Sequence, residues 1–341
     1  MTLTSKRYPV QDASEAIEFC YEQGWTDGLP VVPPTEERVA EFLSTTRRQP
    51  SEVLGVVPER GSTVTLEKVA VNAVMAGCLP EHFPVVLAAV EAMLEPGFNV
   101  HANTASTMGA ATLIIVNGPV RNELGFNSAV NVFGPGARAN ATVGRAIRLF
   151  TMNVLRGAPG ILDKSTFGHA GKYAFCIAED EEHSPWAPLH VERGLRPEDS
   201  AVTIVACRSG LQLSNAWAGT PEQILDSVAR ALRSMATYVD NCVVVLSPEL
   251  RGYVGAWPKA KVQEYLWERS KKSWEQAIRL GTTKVRLQRI APDGVVAVTR
   301  EPRDLLIVAA GGSAGAFFNV IPSWGGSGLV KAITHPIEQA P

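Results

Sequence analysis

The chain has 341 residues, is 45% apolar and carries a formal charge of −2, which fits a globular protein of two packed lobes. Its basic residues are scattered, so the electrostatic footprint of a general nucleic-acid binder is excluded. No window of about 18 uncharged apolar residues occurs, and MTLTSKRYPVQDAS lacks an apolar signal-peptide core, so neither a membrane span nor a secretory leader is expected.

The elements follow in chain order. Asp12 and Glu15 have capping-box spacing and open a helix from Ala13 to Gln23, closed by Gly24. Thr26-Asp27-Gly28 is turn chemistry, with an Asx turn at Asp27, and Val31–Pro34 is extended. Thr35 caps a helix with Val39, Phe42 and Leu43 on one face. From Thr65, LEKVAVNAVMAGC and then FPVVLAAVEAML read as two helices with little polar surface. Thr112–Val116 is a buried strand. The loop FGPGARAN leads into a helix with Asn140 as N-cap and Gly157 as stop. After Gly171 a strand would place Lys172, Ala174 and Cys176 on one face.

In the second half, Val202–Cys207 reads as a strand, and Thr220-Pro221-Glu222-Gln223 starts a helix running to about Tyr238. Val243–Leu246 is a buried strand and Pro258–Leu280 one long helix. Val285–Ile290 and Val295–Thr299 flank Ala291-Pro292-Asp293-Gly294 as a hairpin. Leu305–Ala309 is a strand entering a glycine-rich loop. The alternation predicts an α/β fold: mixed or largely parallel sheets with flanking helices, in two closely packed lobes. The expected divisions are 1–58, a helical and extended segment; 59–196, a first lobe carrying the site; and 197–341, a second lobe. No sequence repeat is strong enough to claim duplication.

The densest chemistry lies in TFGHAGKYAFCIAEDEEHSPWAPLHVERG, residues 166–194. Glycines beside His169 and Lys172 let backbone approach a ligand, and Lys172 can hold a carboxylate or phosphate. Cys176 near Lys172 and His169 would be a nucleophile with a depressed pKa; the bland reading is a core thiol. In the run Glu179–Glu182 one carboxylate with His183 could act as a base; the bland reading is a solvated loop. Glu192 and Arg193 suggest a structural ion pair. Arg138 and Asn140, at a helix start, could hold a substrate carboxylate. His101, Asn103 and Asn127 suit a pocket lining. Gly312 and Ser313 qualify by position after a strand, where α/β sheets form ligand crevices. Walls from 101–107, 127–140, 166–183 and 311–328 would enclose one cleft between the lobes, with His169, Lys172 and Cys176 approaching the 127–140 loop. The five cysteines are widely spaced, with no CxxC, and neither HxH nor HExxH occurs. No bound metal is therefore expected, and reduced thiols in the cytoplasm fit best. No cofactor is indicated.

Five phrases carry a resemblance: GWTDGLPVVPPTEERV (24–39), TLEKVAVNAVMAGCLPEHFPVVLAAVEAM (65–93), RANATVGRAIRLFTMNV (138–154), the 166–194 segment and DLLIVAAGG (304–312). The chain resembles a bacterial family of about this length whose members accompany UGSC-motif (seleno)proteins. The resemblance implies a bacterial origin, a thiol or selenol redox context and a separate UGSC-type protein as partner, since no Gly-Ser-Cys occurs here. The loop GGSAGAFFN departs from the basic residue or histidine expected there. The resulting expectation is an enzyme, forming a homo-oligomer, that acts on a small anionic organic molecule by thiol- or redox-linked, lyase or hydrolase chemistry. The alternative is a non-catalytic subunit that presents substrate to the UGSC-type protein.

Overall fold

A computed structural model describes residues 2–235, 239–291, 293–325 and 328–338. The strands are β1 (Val53–Val57), β2 (Ser62–Thr65), β3 (Ala111–Asn117), β4 (Cys176–Ala178), β5 (Ala201–Cys207), β6 (Leu211–Ser214), β7 (Cys242–Leu246), β8 (Lys272–Ser273), β9 (Val295–Val296), β10 (Leu305–Ala309), β11 (Phe317–Pro322) and β12 (Ile333–Pro336). Two four-stranded sheets dominate, ordered β12-β5-β3-β4 and β10-β7-β11-β6. Each has one parallel pair, β3 with β4 and β7 with β10, and is otherwise antiparallel. The fold is therefore α/β with mixed sheets.

The two sheets share one plan. A central strand (β3 or β7) is followed by helices, then by its parallel neighbour (β4 or β10), then by an antiparallel strand on its other side (β5 or β11). The fourth strand is exchanged. β6 follows β5 in the chain but pairs with β11, and β12 follows β11 but pairs with β5. Backbone bonds from Arg208 N to Pro322 O and from Trp324 N to Ala206 O stitch the crossing point. Consequently the expected boundary at 196/197 does not separate the sheets: β5 belongs with β3 and β4.

The strands alternate between two cores, as their period of two requires. Ile114, Val116, Cys176, Ala178, Val202 and Ile204 face the helices Leu66–Ala76, Phe83–Leu94 and Arg138–Asn153. Val244, Leu246, Leu305, Ile307, Phe318 and Val320 face the helices Pro221–Ser234 and Lys259–Ser270. Leu113, Ile115, Ile177 and Val205 of one sheet meet Val243, Val245, Leu306 and Val308 of the other. The layers are thus helix, sheet, sheet, helix. Each such buried aliphatic side chain stabilises the fold by roughly 1.5–3 kcal/mol relative to exposure. No single helix is long and apolar enough to cross a membrane among the described residues; the bent pair Pro80–Leu94 and Pro96–Thr104 passes on length and composition, yet Phe83, Val86, Val90, Met93 and Phe98 are core.

Several expected elements differ. The helix capped by Thr220 ends at Ser234, and the remainder of its expected span, Ala236 to Tyr238, lies outside the described residues. The single helix over Pro258–Leu280 is two, Lys259–Ser270 and Trp274–Arg279. Buried Lys272 turns inward to the carbonyls of Arg233 and Met235, and a Ser273–Gln276 capping box restarts the chain. The hairpin around Ala291–Gly294, whose Pro292 lies outside the described residues, is absent. Residues Lys284–Ile290 are instead a helix, because Thr283 accepts from Arg286 N as N-cap, and β9 pairs with β8. Asn140 is not a cap either: the helix starts at Arg138.

Candidate functional site

The segment after Gly168 does not form the expected strand. His169 caps a 3-10 turn over Ala170–Lys172, its Nδ1 accepting from Gly171 N at 3.2 Å. Pairing with β3 begins only at Cys176. Lys172 is thereby freed from the Cys176 face and turns toward Asp163. Its Nζ donates to Asp163 Oδ2 at 2.6 Å and to Ser165 Oγ at 2.6 Å. Ser165 Oγ in turn donates to Asp163 Oδ1 at 2.5 Å. Arg148, on the helix Arg138–Asn153, reaches Asp163 Oδ2, the oxygen that Lys172 holds, at 3.3 Å.

This cluster opens on a small cleft of about 30 Å³ between β3 and that helix, lined by Thr104, Thr112, Gly144, Thr151, Arg148 and Lys172. The volume admits a water-sized or carboxylate-sized group. Gly144 lets the helix lie close, since a Cβ there would sit 2.7 Å from Phe175 N. Two cations face one carboxylate, so the cleft has a surplus of positive charge. Arg60, which bonds the cleft residue Thr104, is 5% exposed. It bonds only neutral groups: the carbonyls of Leu155 and His101, His101 Nδ1 and the Thr104 hydroxyl. Burial pulls the Arg60 pKa down, the Glu59 charge opposing it.

Burial also pulls the Lys172 pKa below the ordinary lysine value, against the opposing effect of its hydrogen bond to Asp163. Burial opposes the charge on Asp163, but the hydrogen bonds from Lys172 and Ser165 outweigh it and hold this carboxyl below its usual range. Two of the three Lys172 N–H donors are engaged by protein, leaving one for a bound group.

The other expected site residues disperse. Cys176 is 5% exposed and faces the helices. Burial drives its thiol far up, with neighbouring Cys78 adding to the shift, the reverse of the activated thiolate expected beside Lys172. His169 packs edge-on against Phe175 at 5.9 Å, and burial pulls its pKa down. Arg138 donates to Gly77 O at 3.2 and 3.1 Å and so does not join Lys172. Asn140 is a buried clasp: Oδ1 accepts from Asn127 N at 2.8 Å, and Nδ2 donates to the carbonyls of Asn127 and Cys176. Asn127 also closes its own turn through Ala129 N and Val130 O. Asn103 bonds Phe98 O at 2.9 Å, and His101 accepts from Arg60. Asn103 serves the backbone and His101 the buried Arg60, rather than an open wall. Gly312 and Ser313 do line a cavity of about 340 Å³ with Val130 and Phe133, joining the 127–140 and 311–328 walls as expected, but not the Lys172 wall.

The acidic run is largely paired, and one of its carboxylates, Asp180, meets His183. Glu179 is buried, accepting from Asn117 Nδ2 and Leu189 N, and burial raises its pKa. Asp180 binds Arg251 at 2.6 Å, and Arg121 binds Glu181 and Glu182 at 3.0 Å each. The His183 side chain is 79% exposed, 2.9 Å from Asp180. Asp180 N also bonds Ala309 O, so this network rivets β4 to β10. The expected Glu192–Arg193 pair is not formed: Glu192 binds Lys259 at 2.7 Å and Arg193 binds Ala332 O. Asp27 keeps its turn bond to Leu29 N but is chiefly the partner of Arg145.

Another cleft, about 1180 Å³, lies between 192–194, 240–241, 291–306 and 328–332. Several of its polar groups are spent internally, with Asp240 on Gly328 N and Val330 N, Asn241 on Ala332 N and Arg303 on Glu301. Sequence reasoning missed Asp163, Ser165 and Arg148 as neighbours of Lys172. The only local signal was Asp163-Lys164-Ser165, whose Asx-type bond from Ser165 N to Asp163 Oδ1 looks like ordinary turn chemistry. No group of three or more His, Cys, Asp or Glu side chains that could hold a metal occurs among the described residues. No family model, curated protein or solved structure matches the chain.

Proposed function

We propose that the protein is an enzyme that binds the carboxylate of a small organic anion against Lys172 and Arg148 and performs proton transfer on it, in the lyase or hydrolase class. The observation that supports this reading is the Lys172 ammonium shared between Asp163 Oδ2 and Ser165 Oγ, with Arg148 on the same carboxylate. A substrate carboxylate would take the remaining Lys172 donor and Arg148, and the Thr112 hydroxyl lies along the same wall. Ser165 stands between an acid form, Lys172, and a base form, Asp163. A proton leaving the substrate would pass through Ser165 to Asp163, a weak base because its hydrogen bonds hold the carboxyl below its usual range, while Lys172 holds the developing negative charge. Partial burial of Lys172 lowers its pKa and brings that proton nearer to neutral exchange. Thiol chemistry at Cys176 is disfavoured by its burial.

The test is calorimetric titration with acetate, malonate, lactate and phosphate, comparing the wild-type chain with Lys172→Met and Arg148→Met. The reading expects at least one carboxylate to bind saturably and each variant to weaken it about tenfold, equivalent to ~1.4 kcal/mol. Equal binding by Lys172→Met and wild type, with both folded by circular dichroism, rejects it.

A further inference from the structure

A second cavity, independent of the Lys172 cleft, lies beneath the N-terminal segment. Residues 3–10 form no helix or strand and cross the helix Leu66–Ala76 as a strap. The strap is hydrogen-bonded to a buried carboxylate. Glu67, 1% exposed, accepts from Thr4 N, Thr4 Oγ1 and Ser5 N. Beyond that anchor Arg7 and Tyr8 touch the body at Glu36 and at Phe19 and Trp25, with a space beneath. That space is about 730 Å³, within the usual size of a small-ligand pocket.

The lining has two chemically distinct parts. The floor is apolar: Val39, Met75 and Cys20 are buried, with Val71 and Val154 packed against the core. One wall is an aromatic cluster, Tyr8 with Phe19 at 5.0 Å, Tyr8 with Trp25 at 5.5 Å and Phe19 with Trp25 at 5.7 Å. The rim carries charge, and once ion pairs and the strap bonds are set aside its remaining charged groups are three cations, Lys6, Lys68 and Arg156, against one carboxylate, Glu37. Arg7 is neutralised by Glu36 at 2.6 Å, and Glu67 is spent on the strap. Lys6 lies over the Tyr8 ring at 4.6 Å, and Lys68 donates to Thr63 O; neither meets a carboxylate. Arg156 makes no ion pair or side-chain hydrogen bond among the described residues, and it is held at φ 55°. That left-handed conformation costs a non-glycine side chain roughly 1–2 kcal/mol, and it places a cation at the cavity rim, where a bound anion would be its partner.

We infer that this cavity binds an amphipathic monoanion, a medium-chain alkyl or aryl carboxylate, with its apolar body on the Met75–Val71 floor and aromatic wall and its carboxylate at Arg156. The apolar part supplies the affinity, since burying hydrocarbon gives about 0.8 kcal/mol per CH₂. The cation supplies the preference for a carboxylate over a neutral end.

The test uses octanoate, 1-octanol and acetate in calorimetric titrations of the full chain. Octanoate is expected to bind saturably with a negative heat-capacity change, the mark of apolar burial; octanol is expected to bind about fivefold more weakly and acetate not at this site. Arg156→Gly relieves the left-handed strain, so it should fold at least as stably. It should weaken octanoate about fivefold, the size of a solvent-exposed ion pair, and leave octanol unchanged. Val71→Trp fills the floor and should abolish both. Absence of saturable octanoate binding to the wild-type chain overturns the inference. So does equal affinity for octanoate and octanol, or octanoate binding that survives Val71→Trp. Lys172→Met should leave octanoate affinity intact, which separates this site from the carboxylate cleft.

Discussion

Replacing Cys176 by serine separates a reactive thiol from a core thiol, and the neighbouring Cys78 provides an internal scale. Both sulfurs are buried and both are free thiols. The Thr142 hydroxyl lies beside Cys78, whereas the shift at Cys176 comes from burial and from Cys78 alone. A serine hydroxyl at 176 therefore enters an apolar layer with no partner and should cost roughly 1–3 kcal/mol, while at 78 it finds Thr142 and should cost under about 1 kcal/mol. For a chain of this length 1 kcal/mol corresponds to a shift of about 1.4 °C in Tm. Cys176→Ser should thus melt about 1.5–4 °C lower and Cys78→Ser less than about 1.5 °C lower, read by scanning calorimetry. In parallel, an aromatic disulfide reagent at pH 8 should leave Cys176 unmodified in the folded chain and modify it after addition of guanidinium. Rapid modification of native Cys176, or a Cys176→Ser protein that melts no lower than Cys78→Ser, would refute the burial argument and restore the thiol as a site candidate.

Two further outcomes follow from backbone geometry and buried charge. Gly118 sits at φ 84° with the Asp199 carbonyl 2.2 Å from where a Cβ would lie, whereas Gly125, at φ 67°, has open space around it. Gly118→Ala should therefore cost at least about 3 kcal/mol through strain and overlap and Gly125→Ala about 1 kcal/mol; equal melting temperatures would contradict this packing. Buried Lys272 has its pKa pulled down to about 8 by burial, with Arg233 adding to the shift, against about 10.4 unfolded. Between these values the unfolded chain binds more protons, so Lys272 adds a positive slope to stability as pH rises from 8 to 10, by up to ~1.4 kcal/mol per unit. Lys272→Met should flatten that rise in pH-dependent urea denaturation, and an unchanged slope would show that Lys272 is not the group responsible.

The sequence by itself determined the elements whose signals are local. The caps at Asp12, Thr35 and Thr220 each accept the N–H that their spacing predicts. The buried runs around Thr112–Val116, Val202–Cys207, Val243–Leu246 and Leu305–Ala309 are strands because β-branched and aliphatic runs of that length need burial on both faces. Short edge strands had no such signal. β6 is mostly exposed, and β12 is only half-buried, so both depend on partners far along the chain. Their exchange between the sheets is a tertiary fact that period and composition do not encode. The same holds for the site. The density of reactive groups in 166–183 was legible, and so was Lys172 as a charge beside flexible glycines. Which groups it meets was decided by a 3-10 turn at Ala170–Lys172, which ends one residue-alternation argument and turns the ammonium toward Asp163 and Ser165. Cys176, four residues past that turn, obeys the strand alternation and goes into the core. Side-chain facing follows from regular backbone, and regular backbone begins only where the sheet's hydrogen bonds do.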